Sequence, residues 1–229
     1  MPCDIGYKNF SVIAIPVPQP LVFKKRIAAP TVDAELLERI GQDDPGFLEW
    51  MDALSTDPLL ELALKKTLAA VGDVSPLTFK IENSSLIAEG TYLGAAAKKR
   101  AEEIADRVGR RFQAEVLAMV VELLEFEVEI TSTSEGGVEV VTIEAERHCD
   151  APVHEYVRVT LDPRRGSSVL FEHFSSKERL AAVKSKFTAL AARLGVTINI
   201  LETKASGSPI PAGTEHTHFL KGHGKKVKS

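Results

Sequence analysis

Residues 126–174 read FEVEITSTSEGGVEVVTIEAERHCDAPVHEYVRVTLDPRRGSSVLFEHF, and residues 175–203 continue SSKERLAAVKSKFTALAARLGVTINILET. The period of the apolar residues changes between the two. From Phe126 to Thr131 apolar and acidic residues alternate, which is the mark of a half-buried strand. Ser134-Glu-Gly-Gly supplies turn chemistry, because glycine tolerates positive φ. Alternation returns from Val138 to Glu146, breaks at Asp150-Ala-Pro-Val, and resumes at Tyr156. Asp162-Pro-Arg-Arg-Gly is a second turn, with proline setting φ and glycine closing it. Ser168 to Phe174 reads as the next strand. Ser175 or Ser176 then caps a helix with Glu178 in its first turn. Leu180, Val183, Phe187, Leu190 and Leu194 recur at helical spacing, and Gly195 takes the C′ position.

These segments predict an α+β fold. Its mainly antiparallel sheet has strands near 126–131, 138–147, 156–161, 168–174 and 196–202, covered by helices. Matching apolar faces sets the register. Ile143 should pair with Val159 and Ala145 with Val157, then Val159 with Val169 and Val157 with Phe171. Val141, Ile143, Val157, Val159, Val169 and Phe171 are the expected buried face, and Phe171→Ala would cost about 3–5 kcal/mol if that site is fully buried. The same register sets His148 opposite His154 and Tyr156 opposite Glu172 on the other face, to which Glu146 also points. Cys149 and His173 would point to the core side, near Arg147 and Glu155.

Ahead of the sheet the chain divides into three parts. Residues 1–30 hold five of the twelve prolines, at positions 2, 16, 18, 20 and 30, and read as an extended arm with edge-strand pieces. Residues 31–75 form a helical segment. Its stripes are Leu36, Leu37 and Ile40; Phe47, Leu48, Met51 and Leu54 after Asp44-Pro-Gly; and Leu59 to Leu68 after Thr56-Asp-Pro. Residues 76–204 form the α+β core domain, opening with a strand pair around Glu82-Asn-Ser-Ser. One long amphipathic helix follows, near 94–125. About thirty residues at ~1.5 Å each give ~45 Å, more than a small sheet covers. The helix should therefore either span two layers of its own fold or project into a partner, with the helices of 33–71 or a second chain covering its stripe. Val116, Met119, Val120 and Leu123, together with Trp50, are the expected interaction surface. Residues 205–229 form a disordered tail with His216, His218, His223 and several lysines.

Composition narrows the function classes. A formal net charge of −4 gives no general attraction to nucleic acid or to an anionic membrane. No apolar run is long enough to span a bilayer, and no basic-then-apolar leader stands at Met1, so a cytoplasmic protein is expected. Two cysteines, Cys3 and Cys149, fit reduced thiols. No phosphate loop, dinucleotide glycine fingerprint, nucleophile elbow or zinc ribbon occurs.

The sequence therefore points first to a non-catalytic subunit of a protein assembly, working with a protein partner or as a homo-oligomer and needing no cofactor. The alternative is a metal-binding protein or metal-dependent enzyme, with a divalent ion on His148, His154 and Glu172, since two histidines and a carboxylate form an acceptable zinc or iron shell. A second alternative is weak nucleic-acid binding through Lys98, Lys99, Arg107, Arg110, Arg111 and the tail. Four acids interleave with those cations, Glu102, Glu103, Asp106 and Glu115, so an ion-paired solvated face competes with that reading.

Overall fold

The structure is a computed structural model that describes residues 19–25, 33–135, 138–148 and 154–196. All but Val196 of the expected strand at 196–202, the tail, both cysteines and most of the proline arm lie outside the described residues. Five helices and two antiparallel sheets make up the described fold, an α+β architecture as the periodicity implied.

Three short helices come first. Asp33 caps α1 (Ala34–Asp43) by accepting from the Glu35 amide. Asp44 caps α2 (Pro45–Ala53) by accepting from the Phe47 amide, with Pro45 in the first turn. The third, α3 (Thr56–Val71), starts after Ser55 with no side-chain cap. Asp57, in its first turn, accepts from the Ser84 hydroxyl at 3.0 Å.

The chain places its strands in two sheets rather than one. The first has the order β1–β3–β2, with β1 (Gln19–Lys25), β2 (Leu77–Glu82) and β3 (Ser85–Tyr92). Asn83 and Ser84 turn β2 into β3 with φ of 51° and 52°, the positive values that a tight two-residue hairpin requires. Part of the proline arm thus folds onto its own chain. Pro20 lies opposite Thr91 on an edge strand, where a missing N–H is tolerated.

The second sheet has the order β4–β5–β6–β7: β4 (Glu127–Glu135), β5 (Val138–His148), β6 (His154–Asp162) and β7 (Gly166–Glu172). Every pairing derived from the apolar pattern is present. Ile143 faces Val159, Ala145 faces Val157, Val159 faces Val169, and Val157 faces Phe171. At the turn after β6, the Asp162 carboxylate accepts from the amides of Arg164 and Arg165, and Gly166 takes φ 87°. One correction concerns β7. Val169 and Phe171 pack against the core but are only half-buried, because β7 is an edge strand.

Between the sheets runs α4 (Gly94–Leu123), 30 residues long. It packs on α3 and α5 and touches strands of both sheets. Its length is used to bridge the two layers, not to reach outward. From Ala114 to Val121 every residue is buried. Of the two covers expected for the stripe, the chain's own is the one present: it buries Val116, Met119 and Val120, and the half-buried Leu123 packs on the same core. Leaving such side chains in water would forgo roughly 1.5–3 kcal/mol each. Here α3, α5 and the sheets supply that cover.

The last helix, α5 (Lys177–Arg193), is capped by Ser176, which accepts from the Arg179 amide. Its fully buried Phe187 meets Phe171 edge to face, with ring centroids 5.6 Å apart. Phe187→Ala should therefore cost about 3–5 kcal/mol. Phe171→Ala should cost clearly less, because part of its ring is in water in the folded state. Denaturant titration of the two variants checks the order; equal losses would contradict the half-buried edge.

Candidate metal centre

Three polar side chains converge at the far end of the β5–β6 pair. His148 and His154 are cross-strand partners, the last residue of β5 and the first of β6. Their rings stand edge to face with centroids 4.4 Å apart, and the two Nδ1 atoms approach to 2.6 Å. At that distance the two ring nitrogens are within hydrogen-bonding reach of each other. Glu146 precedes His148 by two residues and shares its face. Its Oε1 lies 3.6 Å from His154 Nδ1. Glu146 is 2% exposed, His154 is half-buried and His148 is exposed, so the cluster opens to solvent on the His148 side. Among the described residues this is a group of potential ligands whose donor atoms all lie within 4.8 Å of one another.

The register explains which carboxylate joins the histidines. Both Glu146 and Glu172 are diagonal neighbours of His154, through Tyr156, which faces each of them across its own pairing. Glu172 sits on β7, however, two strand spacings of ~4.8 Å from His148. Glu146 is on the same strand as His148. The structure accordingly groups Glu146 with the histidines and leaves Glu172 outside that group. The i, i+2 spacing of Glu146 and His148 was the available signal; what it lacked was a way to rank two carboxylates on one face.

Neighbouring contacts hold the hairpin end in place. On the core side Arg147 pairs with the buried Glu155, donates to the Leu124 carbonyl at 3.1 Å and lies over the Phe126 ring. Glu155 also accepts from Arg179 Nε at 2.9 Å, which ties the start of α5 to β6. This buried pair is the cross-strand step next to the histidines, so a slip in register would separate them both. On the histidine face, Tyr156 donates to Glu144 at 2.9 Å, while Arg158 bridges Glu144 and the Tyr156 oxygen. Burial and the bond to the Glu144 carboxylate push the Tyr156 phenol up to about 12.

The other expected site residues are dispersed. Lys98 and Lys99 form exposed ion pairs with Glu102 and Glu103 at 3.9 Å and 3.8 Å. Arg111 turns inward to the buried Glu115, and Arg107 reaches the Asp73 carbonyl. Arg110 has a buried Nε. The cations of α4 thus do not line up as one free basic stripe. Trp50 is 39% exposed and tilts against Phe47 with ring centroids 5.5 Å apart. Among the described residues, no helix is long and apolar enough to cross a membrane. No protein-family model, no curated protein and no solved structure matches the chain.

Because its folded value is raised, the Tyr156 phenol favours the fold fully below pH ~10, the ordinary tyrosine value, and that contribution is lost as pH rises through about 12. Ultraviolet titration of the folded protein, which has three tyrosines, should show one phenol ionising late. In Tyr156→Phe the late step should vanish; its persistence would refute the assignment.

Proposed function

We propose that this protein binds a divalent transition metal through His148, His154 and Glu146. The observation that carries the reading is the convergence of three ligand types at one hairpin end, within 4.8 Å of one another and open to solvent on one side. Two imidazoles and a carboxylate suit zinc or iron, and three protein ligands leave a position for water or a fourth donor.

The distances define what binding would require. Two ligands held at ~2.0–2.1 Å in a tetrahedral arrangement sit about 3.3 Å apart. Glu146 Oε1 and His154 Nδ1, at 3.6 Å, are near that spacing. The two Nδ1 atoms, at 2.6 Å, would have to part by about 0.7 Å. The exposed His148 can make that adjustment by side-chain rotation.

Calorimetric titration with Zn²⁺ tests the reading. The background should be a His216→Ala/His218→Ala/His223→Ala variant, which removes the tail histidines. One equivalent should bind, and His148→Ala/His154→Ala should weaken it by more than about 100-fold, beyond what outer-shell partners are worth. Glu146→Gln should weaken binding, and Glu172→Gln should not. Unchanged affinity in the double histidine variant would end the metal reading.

A role in a protein assembly is a second proposal, favoured by one observation, the exposed Trp50 beside Phe47. Tryptophan is a frequent anchor of interfaces. Light scattering of the full chain should then show an oligomer that Trp50→Ala converts to monomer. A wild-type protein that is monomeric at all concentrations would remove the homo-oligomer form of this proposal.

A further inference from the structure

A cleft of about 500 Å³ lies where the last turn of α3, the middle of α4 and the β4–β5 hairpin meet. It shares no residue with the histidine cluster, whose Glu146 and His148 stand toward the other end of β5 from Glu139. Arg107 and Arg111 come from α4; Ser132, Thr133 and Ser134 come from β4; Glu139 comes from β5. The two arginines are four residues apart, so they stand on one face of the helix.

Their guanidinium groups are held differently. Arg111 is fixed: Nε and Nη2 both donate to Glu115 Oε1, at 2.8 Å and 2.7 Å, and Nη1 donates to the Ser132 hydroxyl at 3.3 Å. Glu115 is 3% exposed and does not line the cleft. Arg107 gives Nη2 to the Asp73 carbonyl at 3.3 Å, whereas its Nη1 makes no hydrogen bond and is not enclosed by the protein. A guanidinium N–H that the protein leaves unengaged at a cleft wall is a ready donor to an anion. Ser132 and Ser134, on the strand face shared with Glu139, add hydroxyls that can both donate and accept, while Thr133 points to the other face.

We infer that this cleft binds a small phosphate-type oxyanion, with Arg107 Nη1 and the Ser132 and Ser134 hydroxyls as its donors and Arg111 as a fixed positive neighbour. Guanidinium forks match phosphate geometry, and hydrogen bonds to charged groups are about twice as strong as neutral ones. Glu139 disfavours a second anionic group at its end of the cleft and accepts a hydroxyl. A phosphomonoester with a hydroxylated body therefore fits better than a polyanion. The cleft volume lies within the range of small-molecule sites, roughly 300–1,000 Å³.

The test uses the full chain in chelator-containing buffer, so that a metal-bound phosphate does not contribute. Inorganic phosphate and glycerol phosphate serve as probes, against sodium chloride at matched ionic strength. Calorimetry should show saturable binding of both, tighter for glycerol phosphate. Arg107→Gln should lose roughly 10- to 100-fold in affinity, and Glu139→Ala should remove the preference between the probes. His148→Ala/His154→Ala should bind phosphate as the wild type does, which separates failure of this inference from failure of the metal reading. If Arg107→Gln does not fold by circular dichroism, Ser132→Ala/Ser134→Ala carries the same expectation. No saturable phosphate response in the wild type, or undiminished binding in the folded cleft variants, overturns the inference.

Discussion

Everything described depends on where α4 buries its apolar surface. A helix that is apolar on one stripe needs one neighbour, whereas a helix that is apolar all round needs neighbours on every side. From Ala114 to Val121 this helix is of the second kind. The helices α3 and α5 and both sheets are arranged around it. One hydrophobic cluster consequently runs from Leu36 in α1 through α4 to Leu194 at the end of α5. The single acid inside the buried run, Glu115, is compatible with that environment because Arg111 reaches it from one turn away. The same pair turns Arg111 away from solvent and gives the nearby cleft a fixed cation.

The second sheet was legible because its strands alternate cleanly. Val141, Ile143 and Ala145 can match Val157, Val159 and Leu161 in one register without putting apolar groups in water, and that register also fixes the histidine pair. The same reasoning was weaker at β7, where Ser167, Ser168 and Gly166 show that little of the strand is buried. Alternation reports which face is inward. It does not report how far an edge strand is covered.

The role of α4 was less legible, although the signal was present. Reading Val116, Met119, Val120 and Leu123 as one stripe omits Ala114, Leu117, Ala118 and Val121, which fill the rest of the circumference. Counted together, these residues call for cover on all sides within the chain. The carboxylate of the histidine cluster was ambiguous for another reason: Glu146 and Glu172 are equivalent by face and differ only in strand distance. The cleft could not be read from sequence, since α3, α4 and β4 meet there only after folding.

The position of α4 in the chain also bears on synthesis. Its apolar run is complete by Val121, yet part of its cover comes from α5, which ends at Arg193. Roughly 70 residues separate the two, about 4–14 s of translation at ~5–20 residues per second. During that interval the emerging polypeptide carries a helix whose final neighbours do not yet exist. The N-terminal helices and the strands made before α5 can shield only part of it, so some of this apolar run stays uncovered until α5 is complete.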